Sequence, residues 1–316
     1  MNESSKNLTL HSKPFWRLLE AFDLMILQRH GGRFLASKPA ASRWYSSTPR
    51  WQPLKESQDG RVETFREQAF VPCKAVLLPR GHFLRLPAAQ KWFTSSRGDT
   101  TGASLNHDYL SKFGDAVVPL EFTKGEGEFQ RAEAPLHIFL EWNKFATTKT
   151  PDRLYLAQAS FASLPQEMIE DLPTPDIVAK AGAGDIYDTN IWMGIPPTYT
   201  PLHRDPNPNL FVQLVGHKVV RMVAPEAGNH VFARVQQALG KSKPAAFRGD
   251  EMMKGEEKKL LEAEVWDDGE QAEHGRATGY EVHLAGGDGL FIPKGWWHTV
   301  KGIGEGVTGS VNWWFR

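Results

Sequence analysis

From Pro151 to Arg316 the sequence breaks into short apolar segments punctuated by proline and glycine: RLYLAQA, DTNIWMGIP, NLFVQLVG, KVVRMVAP, YEVHLAGGDGLFIP and GSVNWWFR. Segments of this length, rich in β-branched and aromatic residues and bounded by turn formers, read as strands. Many such strands in succession point to a sandwich or a barrel. One stretch breaks the pattern. Residues 226–279 are polar, with helical pieces such as EEKKLLEAEVW, and are expected to form a helical insertion between two parts of the sheet.

Upstream, residues 59–150 read as a mixed α/β lead-in to a core spanning 151–316. AVLLP and the alternating AVVPLEFT suggest strands, whereas PAAQKWF, LNHDYLSKFG and APLHIFLEWNKFA suggest helices by their apolar spacing. The whole of 59–316 is therefore expected to be one mainly β domain with flanking N-terminal helices. Hydrophobic residues make up 41% of the 316, which suits a sizeable core. The formal net charge is zero, so no nucleic-acid partner is expected, since such partners select a basic surplus. No apolar run approaches the roughly 20 residues that span a bilayer, so no membrane partner is expected either. Cys73 is the sole cysteine, which excludes an intrachain disulfide and a cysteine-rich zinc site.

Residues 1–58 differ in character. No acid occurs between Asp23 and Glu56, while RHGGRFLASKPAASRWYSSTPRW is rich in arginine, serine and aromatics. That composition matches a mitochondrial transit peptide, giving the expectation of a matrix protein. A plain N-terminal extension of a cytoplasmic or nuclear protein is the alternative.

The chemistry concentrates in three places. In TPLHRDPNPN, His203 and Asp205 stand two apart, a spacing that puts both side chains on one face of a strand. Alone, the pair also fits a solvated, proline-stiffened turn. In GGDGLFIPKGWWHTV, His298 follows two tryptophans at the start of an apolar segment; a core histidine bonded to backbone is the alternative. Together the three residues supply two imidazoles and one carboxylate, the facial donor set that leaves coordination positions open on iron. Lys218 lies between two apolar segments. It is either a hairpin-tip charge or a buried ammonium requiring an anion, to which Thr200 and Tyr155 could add hydroxyl donors.

These residues form a pattern that resembles the JmjC-type cupins of the Fe(II)/2-oxoglutarate dioxygenase superfamily. Within it, the pattern is similar to that of the asparaginyl hydroxylase that inhibits hypoxia-inducible factor. It runs Thr200, Pro201, His203, Asp205 and Asn209, then Gly216 and Lys218. Gly287, Asp288, Ile292, Pro293, Trp296, Trp297 and His298 follow, and Val311, Asn312 and Trp314 close it. The similarity covers roughly Val62 to Arg316.

The resemblance implies a double-stranded β-helix, or jelly roll, and the cofactors Fe(II) and 2-oxoglutarate. It implies that His203, Asp205 and His298 hold the metal and that Lys218, Thr200 and Tyr155 hold the distal carboxylate of 2-oxoglutarate. Asn209 and Asn312 would stand behind the ligands, and Phe211 would form an apolar wall. The implied reaction consumes O2, releases succinate and CO2, and hydroxylates a protein side chain. Demethylation, a small-molecule oxygenase and a non-catalytic cupin acting as a binding or assembly module remain the alternatives. Two departures bear on the substrate: Ala157 stands where the relative has a glutamine, and the 226–279 insertion differs in sequence. The relative dimerises through helices beyond its barrel, and Arg316 lies two residues past Trp314, so that dimer mode is not expected.

Overall fold

The computed structural model describes residues 50–94, 102–125, 128–241, 253, 255–267 and 278–316. The chain divides into residues 1–48 and 49–316; the expected transit segment lies almost wholly outside the described residues. The strands in chain order begin with β1 (Trp51–Pro53), β2 (Val76–Leu77), β3 (Phe93–Thr94), β4 (Ser104–Leu105), β5 (Val117–Lys124), β6 (Glu128–Pro135) and β7 (Arg153–Ser160). Then come β8 (Ile186–Gly194), β9 (Thr198–Arg204), β10 (Asn209–Val215), β11 (His217–Val223), β12 (Gly279–Leu284), β13 (Gly289–Ile292), β14 (Trp297–Ile303) and β15 (Thr308–Phe315).

Two large sheets face each other. One has the order β2-β13-β10-β15-β8-β7-β5-β6 and the other β1-β12-β11-β14-β9. The last eight strands are shared between them, with β8, β15, β10 and β13 in the first and β9, β14, β11 and β12 in the second. This is the jelly-roll, double-stranded β-helix architecture. Alternate residues of both sheets meet inside it. Leu77, Phe211, Leu290 and Ile292 come from the larger sheet, and Val220, Met222, Val282, Leu284 and Val300 from the smaller. Each such side chain contributes about 1.5–3 kcal/mol on burial.

The insertion supplies two helices, here α2 (Pro225–Ala238) and α3 (Gly255–Trp266); α1 (Leu136–Phe145) belongs to the lead-in. Pro225 starts α2 at the position where a missing N–H costs nothing. Val231, Phe232 and Val235 of α2 and Leu261 and Val265 of α3 pack on Leu202, Val223 and Trp297. The helices therefore cover the outer face of the smaller sheet. β11 is buried on both faces as a result, which is why KVVRMVAP is mainly apolar rather than alternating, with Lys218 and Arg221 as its two buried charges.

Three local features differ from the sequence reading. The stretch containing His203 is strand rather than turn up to Arg204; Pro201 is tolerated because β9 is an edge strand paired only with β14. Trp51–Pro53, placed by composition in the N-terminal extension, pairs in parallel with β12. The charged segment Glu128–Pro135 forms a strand at the other sheet's edge, where exposed charges discourage pairing with another chain. Among the described residues no helix is long and apolar enough to cross a membrane.

Candidate metal centre

His203 and His298 sit directly opposite each other in the β9–β14 ladder, with ring centroids 4.2 Å apart. Asp205 follows β9 and turns its carboxylate between them. His203 Nε2 lies 3.8 Å from Asp205 Oδ1, and His298 Nε2 lies 3.6 Å from Oδ2. The donor atoms of the three residues all lie within 4.8 Å of one another. Backbone carbonyls set the tautomers. His203 Nδ1 is 2.9 Å from the Pro201 carbonyl and His298 Nδ1 is 3.2 Å from that of Trp296. A carbonyl only accepts, so each Nδ1 carries the proton and each Nε2 turns its lone pair toward Asp205.

The electrostatics favour ligation. Burial pushes His298 down to about 4, aided by the neighbouring His203 imidazole, so its ring is neutral at ordinary pH. Burial works to raise the Asp205 carboxyl, but the His298 and His203 imidazoles and hydrogen bonds from Trp314 and Asn209 outweigh it, leaving Asp205 below its usual range. Oδ2 accepts from Trp314 Nε1 at 2.8 Å and from Asn209 Nδ2 at 3.2 Å. Asn209 Oδ1 in turn accepts from Asn312 Nδ2 at 3.1 Å. Oδ1 of Asp205 has no donor among the described residues.

The same cavity reaches Lys218. It is lined by Tyr155, Trp192, Thr200, His203, Asp205, Asn209, Phe211, Lys218, His298, Val300, Asn312 and Trp314, so it gathers all nine residues singled out from the sequence. Lys218 is only 2% exposed, which excludes a hairpin-tip charge. Its Nζ donates to Ser310 Oγ at 2.7 Å and to Tyr155 OH at 3.3 Å, and it stands 5.3 Å over the Phe211 ring. No carboxylate pairs with it among the described residues. Desolvation accordingly pushes its pKa down to about 7, and burial, together with the charge of Glu121, raises that of the Tyr155 phenol. Two glycines make room. A Cβ at Gly194 would meet the Tyr155 ring at 2.4 Å. Gly216, at φ +69°, turns the chain from β10 into β11, where a Cβ would strike the Val307 carbonyl at 2.5 Å.

Four contributors carried no assigned role in the sequence reading. Ser310 and Trp314 flank Asn312 at strand period, so alternation along β15 was a usable signal for both. Val300 stands likewise two after His298. Trp192 had no such signal. Arg204, between His203 and Asp205, places its guanidinium 5.6 Å over the outward-facing Trp297 ring. Ala157 is fully buried, but the next residue, Gln158, is exposed with φ +57°. The β7–β8 register shifts between Leu156 and Ala159, so this bulge turns a glutamine outward one position later than the resemblance suggested.

Three lone-pair donors around one point suit a divalent metal. A buried ammonium in the same cavity, with no carboxylate partner among the described residues, suits a dicarboxylate. The residues present thus fit Fe(II) and 2-oxoglutarate.

Comparisons with known proteins agree. A family model described as a cupin-like domain matches residues 55–316. The chain is 26% identical over 257 residues to lysine-specific demethylase JMJ30 of Arabidopsis thaliana, covering 80% of this chain and 52% of that protein. It is 24% identical over 256 residues to lysine-specific demethylase 8 of Xenopus tropicalis, covering 80% and 51%. It is 26% identical over 262 residues to Jumonji C domain-containing protein 5 of Drosophila melanogaster, covering 81% and 58%. The chain thus spans little more than half the length of these relatives. It belongs to the cupin-like domain family as a JmjC-type member of the superfamily whose cofactors are Fe(II) and 2-oxoglutarate.

Proposed function

We propose that this chain is an Fe(II)- and 2-oxoglutarate-dependent oxygenase that hydroxylates a protein side chain. The observation that carries the reading is the pairing, in one cavity, of the His203–Asp205–His298 donor set with a buried Lys218 that has no carboxylate partner among the described residues. His203 Nε2, His298 Nε2 and an oxygen of Asp205 would hold the metal, and Lys218, Tyr155 and Thr200 the distal carboxylate of the cosubstrate. When bound together, Fe(II) and 2-oxoglutarate activate O2 and deliver one oxygen atom to a C–H bond, with succinate and CO2 released.

The protein's part is positional. The Pro201 and Trp296 carbonyls keep both imidazoles in the ligating tautomer. Trp314 and Asn209 hold one carboxylate oxygen of Asp205 and leave the other free to ligate. Lys218 supplies a positive charge in a desolvated setting, where its attraction to a carboxylate is strong. Phe211, Val300 and Trp192 wall the cavity and limit water around the reacting centre.

A macromolecular substrate is supported by the exposed Gln158 beside Trp192 on the neighbouring strand, and by relatives whose names denote action on lysine. Those names also favour a second reading, hydroxylation of an N-methyl carbon. Anaerobic loading with Fe(II) followed by 2-oxoglutarate and O2 tests the reading through succinate release. Succinate from the native chain, and none from His203→Ala or Asp205→Ala, is expected; equal release from the variants rejects the assignment. Incubation with peptide pools separates the two products: a stable gain of one oxygen marks side-chain hydroxylation, whereas formaldehyde marks N-methyl oxidation.

A further inference from the structure

Thr200 and His203 both line the cavity, yet they are three residues apart on one strand. Strand side chains alternate faces, so residues three apart in a regular strand point to opposite sides. The β9–β14 ladder resolves the conflict. Trp297 pairs with Arg204 and His298 with His203, but Val300 pairs with Thr200 and Lys301 with Tyr199. Between those registers, Pro201 and Leu202 of β9 together oppose the single residue Thr299 of β14. This is a β-bulge on β9, a device that re-aims side chains.

The neighbours confirm the change of parity. Leu202 packs outward with Val231, Phe232 and Trp297, and Tyr199 meets Lys301 and Lys258 on the same outer side. Slipping β9 by one residue would turn either His203 or Thr200 away from the cavity.

The bulge is tied down from the outside. Thr299 is fully buried, and its hydroxyl donates to the Thr200 carbonyl at 2.7 Å. That hydroxyl accepts from Trp266 Nε1, the last residue of α3, at 3.1 Å. The Trp266 ring is itself held between Arg221 at 4.5 Å and Lys301 at 4.6 Å. On the inner side, the Pro201 carbonyl within the bulge receives the His203 ring N–H. One short relay therefore runs from the insertion helix, through Thr299, to the segment carrying both a candidate metal ligand and a candidate cosubstrate contact.

We infer that Thr299 is a positioning residue. Its hydroxyl, backed by Trp266, locks the β9 bulge and so holds Thr200 and His203 on the same side. The inference rests on the metal and cosubstrate assignments above. Its signature is a joint loss of metal and 2-oxoglutarate affinity from one outward-facing hydroxyl that touches neither.

The test uses the full chain without turnover. Mn(II) binding, and then 2-oxoglutarate binding to the Mn(II)-loaded protein, are measured by calorimetry for the native chain, Thr299→Val, Thr299→Ser and Trp266→Phe. Valine keeps the shape and removes the hydroxyl; serine restores it. Thr299→Val is expected to weaken Mn(II) binding about 10-fold, the scale for groups that orient ligands, and to weaken 2-oxoglutarate binding with it. Thr299→Ser should stay within about twofold of native by restoring the same bond. Native-like affinities in Thr299→Val, or equal losses in the valine and serine variants, overturn the inference. Should Thr299→Val fail to fold, Trp266→Phe decides: weaker binding of both ligands supports the relay, and unchanged binding overturns it. A native chain that binds no Mn(II) would instead reject the underlying site assignment.

Discussion

Trp314 Nε1 donates a 2.8 Å hydrogen bond to Asp205 Oδ2 across 109 residues of sequence. The indole thereby orients a carboxylate that sits between two imidazoles. Trp314→Phe keeps an aromatic ring but removes the N–H, leaving Oδ2 with Asn209 as its remaining side-chain donor among the described residues. The carboxylate then gains rotational freedom, and Mn(II) binding should weaken about 10-fold with little change in melting temperature. Fluorescence-independent calorimetry reads this directly; native affinity in the variant would show that Asn209 suffices.

Lys218 gives a pH dependence with a definite sign. Burial lowers it from its ordinary 10.5 to about 7, so between those values the unfolded chain holds a proton that the folded chain has released. Stability from this group is therefore weakest below about pH 7 and rises with pH through that window. Without ligand, urea unfolding of the native chain should show this rise, and Lys218→Met should lack it. A bound dicarboxylate favours the ammonium again, so 2-oxoglutarate binding near about pH 8 should take up close to one proton. Calorimetry in buffers of different ionisation enthalpy checks this, with no uptake expected for Lys218→Met. The same variant should lose roughly 10–100-fold in 2-oxoglutarate affinity, the scale of a lost charged hydrogen bond.

Arg221 lies between two indoles, 4.8 Å from Trp51 and 4.5 Å from Trp266, and its Nε bonds Glu281 at 2.6 Å. Trp51 closes one side of this stack from β1, so the N-terminal strand matters to the domain. Trp51→Ala should cost about 1–2 kcal/mol, and a chain starting at residue 59 should lose more because β1 goes as well. Thermal unfolding checks both, at about 2–4 °C per kcal/mol for a domain of this size. Equal melting of chains starting at residues 50 and 59 would show β1 to be dispensable.

Much of the site was legible before folding. The His203–Asp205 spacing, His298 after the tryptophans and Lys218 between apolar segments all identify groups whose chemistry is unusual for their surroundings. Most core strands were legible too, because KVVRMVAP and GLFIP carry the apolar content a two-faced burial demands. Trp51–Pro53 was not, since three residues with one aromatic carry no periodicity, and their strand state comes from pairing with β12. The surroundings of Arg204 were not legible either, since alternation turns it outward but only the folded chain sets the Trp297 ring beside it.

What the amino-acid sequence alone determined was the inventory: short strands, a helical insertion, three side chains able to donate to a metal and one ammonium without an obvious counterion. What only the tertiary structure decided was parity and partnership. A strand's side chains alternate automatically, but where a bulge resets that alternation depends on the ladder formed with a distant strand. Thr200 and His203 face the same cavity only because Pro201 and Leu202 together oppose Thr299. Likewise Asp205 meets Trp314, and Lys218 meets Ser310, only once the two sheets close on each other. Cross-strand hydrogen bonds between residues some 90 or more positions apart have no signature within a short stretch of sequence, so those contacts became visible only in the folded chain.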